Sequence, residues 1–356
     1  MTASNPILGT GLHAIGGVSA STCYLPYQGT RNWSWGTFWL VQASFAWIIM
    51  PLVLGVLTVP GFFDVLAQSP PGAFWGAFLL GALYGFGGMS FGLAIKHVGY
   101  SLTYTLSIGI SAVLGTILPL TIFGGLTDYF ARPGGSIVLT GMVLSIIGVL
   151  ICGWAGFRKE RDITAAEGAG VQFNMTAGLL LTIVAGVLSG VFNVSLEVGQ
   201  PIADLAALNG AGNFQGNAKQ IVSTAGCFAV NLIWFLVAGM KDGTLKEFTM
   251  KSGIPAGVMA RNTLWSAFAG TLWSLQFFFY GLGHVQMGSF QFASWVLHMS
   301  MLIFFSYVVG MAMKEWRSVR RSTYAILVVA LVVLVLSFVI TSYGSYYGEQ
   351  MMANRQ

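Results

Sequence analysis

One carboxylate of this sequence lies within an apolar run, where it could bind and release a proton. Glu197 ends a stretch that begins near Thr176, whereas the other ten of the 11 acidic residues lie in predicted loops or tails. Desolvation favours the protonated form of such an acid, and acids inside a membrane commonly serve proton transfer. The alternative is a helix-end acid that reaches interfacial water. Asn193, one turn earlier, could share a ligand with Glu197.

A second group of side chains suits a sugar. Trp273, Gln276 and Tyr280 recur at three- and four-residue spacing, so one helix face carries two aromatic rings and an amide. A ring can cover the C–H face of a sugar while an amide bonds its hydroxyls. The alternative is aromatic packing, with Gln276 bonding between helices.

A third group follows in the next apolar segment. Gln291, Trp295 and His298 follow helical spacing, and His298 lies well inside the segment. A histidine there can bond a hydroxyl or titrate, and His13 in the first apolar segment offers the same chemistry. A purely structural role is the alternative for both histidines.

Gln42 and Trp47 precede Pro51 within another apolar segment. A proline within a membrane helix kinks it and opens cavities, so Gln42 and Trp47 could line one. Packing is the alternative role for Trp47.

The elements that must position these residues are membrane helices. The chain has 356 residues, of which 55% are hydrophobic and 8% are charged. A soluble chain needs a charged fraction of roughly 25%, so the apolar surface of this one must face lipid. This composition predicts an all-α integral membrane protein. The net charge of +5 indicates lysines and arginines in loops beside the cytoplasm. It does not indicate a surface that binds nucleic acid.

Segments of about 20 apolar residues predict ten transmembrane helices. Thirteen of the 16 Lys and Arg residues fall in loops on one side of these helices, which the positive-inside rule assigns to the cytoplasm, so both termini are predicted to be periplasmic. The predicted spans are 8–28, 37–59, 72–94, 100–124, 134–156, 176–198, 220–240, 262–284, 290–313 and 322–343.

The two halves of the chain resemble each other. Residues 81–99 and 270–288 share five identities, among them Gly81 with Gly270, and Gly17 can be paired with Gly186 in the same way. Five helices per half make the second half start from the opposite side of the membrane, so the repeat is inverted, as in many secondary transporters. The sequence therefore predicts two inverted five-helix repeats, 1–157 and 176–356, joined by a cytoplasmic loop at 158–175.

Three motifs carry a resemblance to a known family. The stretches "WSLQFFFYGLGH", "SWVLHMS" with "KEWR" after it, and "CYLPY…NWSW" resemble the bacterial L-rhamnose–proton symporters of the drug/metabolite transporter superfamily. The similarity runs nearly end to end. It implies ten helices in two inverted repeats, an inner-membrane location and proton-driven uptake of L-rhamnose. Trp273, Gln276, Trp295, His298 and His13 stand in family-like motifs.

Glu197 departs from the pattern of that family. The leading hypothesis is a proton-coupled importer of L-rhamnose or a related deoxy sugar, working by alternating access, with the proton on Glu197, His298 or His13. A proton-coupled exporter of small metabolites or drugs is the first alternative. A membrane enzyme acting on lipid-linked sugars is the second, but the sequence has neither clustered acids nor a metal-ligand pattern. We therefore expect no enzymatic activity, no cofactor and no metal.

Overall fold

The computed structural model describes residues 4–98, 100–167, 175–249 and 253–354. Helices account for the regular structure of these residues, which contain no β-strand, so the predicted all-α class is confirmed. Gly99, Lys251, Arg355 and residues 168–174 of the predicted 158–175 loop lie outside the described residues.

Fourteen α-helices follow one another along the described chain. They are α1 (Pro6–Thr22), α2 (Trp35–Ser44), α3 (Met50–Thr58), α4 (Phe62–Gln68), α5 (Pro71–Val98), α6 (Tyr100–Ile122), α7 (Leu126–Ala131), α8 (Gly135–Glu167), α9 (Met175–Val198), α10 (Gln200–Leu208), α11 (Gly216–Asp242), α12 (Ala256–Gln286), α13 (Ser294–Ala312) and α14 (Arg321–Ala353). Shorter 3₁₀ segments cover Leu25–Gly29, Gly212–Phe214, Thr244–Phe248 and Gly288–Ala293.

Eight helical stretches of the described chain are long and apolar enough to cross a membrane, which makes this a multi-pass membrane protein. Two of the ten predicted spans are not among them: α1 has only 17 residues, and α12 carries polar side chains along its length. The eight stretches are Trp35–Thr58, Pro71–Ile95, Thr103–Ile122, Gly135–Ile163, Thr176–Leu208, Gly212–Asp242, Gly288–Ala312 and Arg321–Ala353.

Several helices end elsewhere than the sequence predicts. Helix α1 stops at Thr22 instead of continuing to residue 28, because Pro26 has no N–H to donate and the chain turns into a 3₁₀ segment there. Residues 199–219, predicted as a connection, contain the whole of α10, which has Pro201 in its first turn. Helix α8 continues to Glu167, eleven residues beyond its predicted span.

The chain forms two compact units, each built from both halves of the sequence. The first unit comprises Met1–Val18, Gly87–Val194 and Leu282–Gln356. Within it, α8 and α14 pack closely through small residues: a Cβ on Gly141 would overlap the Thr341 side chain, and Ser145 Oγ donates to Ser337 Oγ at 2.9 Å. The core of this unit is apolar and includes Cys152, Leu297 and Leu334.

The second unit comprises Ser19–Phe86 and Ser195–Gly281. Helices α5 and α11 approach closely in it, since a Cβ on Gly81 would overlap the carbonyl oxygen of Ser223. A compact apolar core beside α4, α10 and α11 includes Phe62, Ile202 and Val222.

Candidate functional site

A corner of two tryptophan rings forms the centre of the predicted sugar site in the second unit. The rings of Trp47 and Trp273 meet edge to face, with centroids 5.5 Å apart and an interplanar angle of 81°. Trp39 continues the same surface, 6.1 Å from Trp47. All three are on predicted membrane helices. The rings of Trp47 and Trp273 form two apolar walls nearly at right angles to each other.

A π-helical turn positions Trp47. Residues Phe45–Ile49 form this turn, which α3 follows, and the N–H of Met50 bonds the carbonyl of Phe45 five residues back. Pro51 lacks the N–H that would bond the carbonyl of Trp47 in a regular helix. The wider turn is a common way for a helix to absorb such a mismatch, often at functional sites.

A glycine brings α12 next to this turn. A Cβ on Gly270 would overlap the backbone carbonyl of Gln42, so only glycine lets α12 and α2 approach this closely. Trp273 and Ser274 follow about one helical turn later and therefore come from the same side of α12. The contact explains why Gln42 and Trp273 belong to one site although they are far apart in the sequence.

Three buried polar groups at this corner have no hydrogen-bond partner within the described part of the chain. They are Gln42 Oε1, Trp47 Nε1 and Ser274 Oγ. Their residues are 3%, 4% and 0% exposed. A buried polar group without a partner is costly, and such groups concentrate where a ligand supplies the missing bond. An amide oxygen, an indole N–H and a hydroxyl together match the donors and acceptors of a sugar.

Gln276 and Tyr280 extend the site along α12. Both are 4% exposed, and Phe277 packs between Trp273 and Tyr280, with centroids 5.0 and 6.1 Å away. The sequence spacing therefore identified one contiguous buried strip of α12. Ser274 was missed, because a lone serine in an apolar helix gives no signal of its own.

Trp39 is engaged within the protein. Its Nε1 donates to Asn231 Oδ1 at 3.1 Å, and the amide of Asn231 donates to the carbonyls of Gly85 and Cys227. This network ties Trp39, on α2, to α11 and α5, so Trp39 is a rigid support for Trp47.

Glu197 lies at the last turn of α9, half-buried. The end of the helix is held by Ser195, whose Oγ donates to Ala77 O at 2.7 Å and lies 2.8 Å from Ser223 Oγ. Lys219 is within electrostatic reach of Glu197. The predicted span 220–240 leaves Lys219 in a loop, but α11 begins at Gly216 and buries it. The sequence gives one sign of this burial, since Lys219 lies one residue before the predicted span 220–240.

The first unit holds a pair of buried histidines. His13 on α1 and His298 on α13 are both 0% exposed, and their ring centroids are 5.6 Å apart. Gly283 is close to the ring of His13, so α1, α12 and α13 enclose the pair. The two predicted histidines are thus brought together.

Trp295 and Asn193 both bind α6 in the first unit. Trp295 Nε1 donates to Ser111 O at 2.9 Å, and its ring lies over Gly115, whose carbonyl accepts from Asn193 Nδ2 at 2.7 Å. Gln291 does not share α13 with Trp295 and His298. It lies half-buried in the 3₁₀ segment Gly288–Ala293, and α13 begins only at Ser294, so the α-helical spacing does not reach back to Gln291.

An apolar groove of about 480 Å³ in the first unit is unsuited to a sugar. Its hydroxyl groups are bonded within the protein: Thr105 Oγ1 to Tyr307 Oη at 2.8 Å and Ser300 Oγ to Val296 O at 2.6 Å. The exposed Leu150 and Trp154 line it, so the groove faces lipid.

The sequence profile of the L-rhamnose-proton symport protein (RhaT) family matches residues 2–346. The chain belongs to this family. The RhaT family match covers nearly the whole chain, including every candidate site residue described above.

Individual members of the RhaT family are similar over the same length. A protein of Pectobacterium atrosepticum named L-rhamnose-proton symporter is 30% identical over 347 residues, which is 96% of this chain and 99% of that protein. Proteins of the same name from Yersinia pestis and Yersinia pseudotuberculosis are each 29% identical over 343 residues, covering 95% of this chain and 98% of theirs. The similarity therefore extends over nearly the whole length of these relatives.

Proposed function

We propose that this protein imports L-rhamnose together with protons across the bacterial inner membrane. Its family membership and the names of its relatives support both the sugar and the proton. A symporter moves its substrates without converting them, so the protein is not an enzyme. Alternating access around a site between helices is the usual mechanism of such carriers.

The observation that supports the sugar site is the tryptophan corner, whose buried polar groups have no hydrogen-bond partner among the described residues. L-Rhamnose is a 6-deoxyhexose, so it presents a methyl group and C–H faces as well as hydroxyls. The rings of Trp47 and Trp273 suit the apolar faces, while Gln42 and Ser274 suit the hydroxyls. Gln276 and Tyr280 continue this surface along α12.

The residues of the first unit take other parts in this proposal. His13 and His298 are candidates for binding protons or a sugar hydroxyl, since imidazole can do either. Trp295 and Asn193 brace α6, and Gln291 in the 3₁₀ segment before α13 is a further sugar-binding candidate. Glu197 is the proton-binding candidate of the second unit.

Helix contacts in the second unit support two inverted five-helix repeats. The spans of the first half are α1, α2–α3, α5, α6 and α8; those of the second are α9, α11, α12, α13 and α14. Gly81 of the third span packs on Ser223 of the seventh, and Gly270 of the eighth packs on Gln42 of the second. Exchanging the two halves converts the first contact into the second, and sequence comparison pairs the same two glycines.

An exchange of the two sequence halves also relates the helix contacts of the first unit. Gly17 of the first span packs against the backbone of Met301 in the ninth, and Gly186 of the sixth packs against Ser107 in the fourth. The fifth and tenth spans, α8 and α14, pack on each other, as an exchange of halves requires. These paired contacts favour ten spans over eight.

Uptake into proteoliposomes tests the function. We expect labelled L-rhamnose to accumulate when an inward proton gradient is imposed and to stop accumulating when a protonophore collapses it. A panel of sugars and amphipathic drugs in a thermal-shift assay checks the substrate class. Stabilisation by drugs without stabilisation by L-rhamnose or its analogues would reject the importer in favour of an exporter.

A C-terminal reporter tests the orientation. Both termini are proposed to be periplasmic, so a phosphatase active only in the periplasm should be active when fused after Gln356. Activity of a fusion partner that works only in the cytoplasm would reverse the orientation.

A further inference from the structure

The apolar groove of the first unit runs between α6 and α8 and is long enough for a lipid acyl chain. Its lining extends from Thr105 to Leu114 on α6, which is about 13 Å at 1.5 Å per residue. That length is close to the hydrocarbon depth of one membrane leaflet, about 15 Å. Buried Val296 and Ser300 of α13 form the floor of the groove, and the exposed Ile183 of α9 also lines it. The groove therefore matches one acyl chain in length and in polarity.

Two glycines shape the wall of this groove. A Cβ on Gly109 of α6 would lie 2.7 Å from Val149 Cγ1, so a larger residue there would push α6 away from α8. A Cβ on Gly153 of α8 would lie 3.6 Å from Thr105 Cγ2, which is an ordinary van der Waals distance. Gly153 therefore leaves space in the groove that a larger side chain would fill.

One stripe of α8 connects the groove to an arginine. Ile146, Leu150 and Trp154 line the groove, and Arg158 follows at the same four-residue spacing. The guanidinium carbon of Arg158 lies 5.9 Å from the centre of the Trp154 ring, and Nη2 donates to Ser322 Oγ at 3.3 Å. Trp154 is 55% exposed. The groove thus ends at an arginine beside a tryptophan, a residue that is enriched at the membrane–water interface.

Positive charge is concentrated at this end of α8. Residues 158–162 and 314–321 contain seven basic and three acidic side chains, a net charge of +4. Two of the acids form ion pairs with Lys159 and Arg320, at 3.1 and 3.4 Å. Arg158 forms no ion pair with a residue that the structure describes. Its charge is therefore available to an anion from outside the protein.

We propose that this groove binds an anionic phospholipid of the cytoplasmic leaflet, such as phosphatidylglycerol. One acyl chain lies in the groove, and the headgroup phosphate is bound by Arg158 and by the exposed Arg161 one turn later. The excess positive charge selects an anionic headgroup over a zwitterionic one, while the acyl chain holds the lipid between α6 and α8. This lipid site is additional to the proposed sugar site.

Thermal unfolding of the delipidated protein with added lipid tests the headgroup contact. Dioleoyl phosphatidylglycerol should raise the unfolding temperature more than dioleoyl phosphatidylcholine does. Arg158→Gln should weaken phosphatidylglycerol binding by about fivefold and leave phosphatidylcholine binding unchanged, because one basic residue near a membrane surface contributes about that factor. Lys241→Gln removes one positive charge from an exposed position at the end of α11, and this control should bind both lipids as the wild type does.

Filling the groove tests the acyl-chain contact separately. Gly153→Leu should weaken the binding of both lipids, because its side chain occupies the space of the chain. Leu150→Trp covers the case in which Gly153→Leu fails to fold, since Leu150 is 64% exposed and lines the same groove. Glycerol phosphate, which has the charged group without an acyl chain, should leave the unfolding temperature of the wild type unchanged.

Four results would overturn the proposal. They are equal stabilisation of the wild type by both lipids, wild-type phosphatidylglycerol binding in Arg158→Gln, wild-type lipid binding in the groove-filling variants, and a disulfide-linked dimer of Leu150→Cys in membranes. The last result would show that a second copy of the chain covers the groove, because the three native cysteines are buried. None of these measurements involves sugar uptake, so they test the lipid site independently of the proposed transport.

Discussion

Two buried tryptophans, one in each compact unit, have opposite bonding. Trp295 in the first unit is 1% exposed and donates its indole N–H to Ser111 O at 2.9 Å. Trp47 in the second unit is 4% exposed, and its indole N–H has no acceptor among the residues that the structure describes. The indole N–H of Trp295 is thus hydrogen-bonded within the protein, whereas that of Trp47 has no acceptor among the described residues.

Two buried side-chain amides differ in their hydrogen bonding in the same way. Asn193 donates to Gly115 O in the first unit, whereas Gln42 Oε1 is unpaired within the described chain of the second. Burial and residue type alone do not distinguish a structural residue from a ligand-binding one. Bond completeness adds a further criterion, because an internal partner removes the need for a ligand. On this comparison we propose that Trp295 and Asn193 brace the helices and that Trp47 and Gln42 contact the sugar.

The largest effect is expected for Trp295→Ala. It removes a fully buried ring that packs on Gly115, and such truncations lower the free energy of unfolding by about 3–5 kcal/mol. Thermal unfolding of the purified protein in detergent measures this loss. Trp75→Ala, at an exposed position on α5, is the control and should unfold near the wild-type temperature. A wild-type unfolding temperature for Trp295→Ala would break the comparison.

Gln42→Leu comes next. It keeps the side-chain volume but removes the amide, so L-rhamnose should bind about tenfold to a hundredfold more weakly. Because the amide oxygen has no partner in the described structure, the free energy of unfolding should not fall. Calorimetric titration with the sugar checks the affinity, and Gln28→Leu, at an exposed amide, should bind as the wild type does. Unchanged affinity in Gln42→Leu would remove this amide from the site.

Trp47→Phe should have a smaller effect. A smaller aromatic ring remains and the indole N–H is lost, which predicts a threefold to tenfold weaker affinity, or roughly 1 kcal/mol, without the stability cost of a broken internal hydrogen bond. Trp39→Phe is the informative counterpart, because it breaks the bond to Asn231 Oδ1 and should lower stability by about 1–3 kcal/mol. If the two variants lost stability equally, bond completeness would not separate the two kinds of tryptophan.

Ser274→Ala should have the smallest effect. Removing an unpaired buried hydroxyl should leave stability unchanged or slightly higher, and affinity should fall by about threefold at most. Ser266→Ala on the same helix breaks the bond from Ser266 Oγ to Asn262 O and should cost about 0.5–1.5 kcal/mol. Thermal unfolding of both variants, with and without sugar, makes this comparison.

The sequence predicts well what depends on helix periodicity. Trp273, Gln276 and Tyr280 form one buried strip because a regular helix repeats every 3.6 residues. The membrane class followed from composition, since too few charged residues are present to coat a soluble surface.

Features that depend on three-dimensional contacts were not predictable. The predicted span leaves Lys219 in a loop because a charge commonly marks a helix end in sequence, whereas in the structure Lys219 lies in the first turn of α11 and donates to Gln200 Oε1. The spacing predicts Gln291 on the helix of Trp295, but α13 begins at Ser294 and Gln291 lies in the 3₁₀ segment before it. The meeting of Gln42 with Gly270 is a contact between distant segments, which no local pattern encodes.

The π-helical turn at Phe45–Ile49 has a consequence for comparing relatives at about 30% identity. It contains one residue more than an α-helical turn, and each residue of a helix turns the chain by about 100°. A one-residue gap in an alignment is therefore conservative at this turn, because it exchanges a π turn for an α turn and keeps both flanking faces. The same gap elsewhere in Trp35–Thr58 would rotate Gln42 or Trp47 out of register with Trp273.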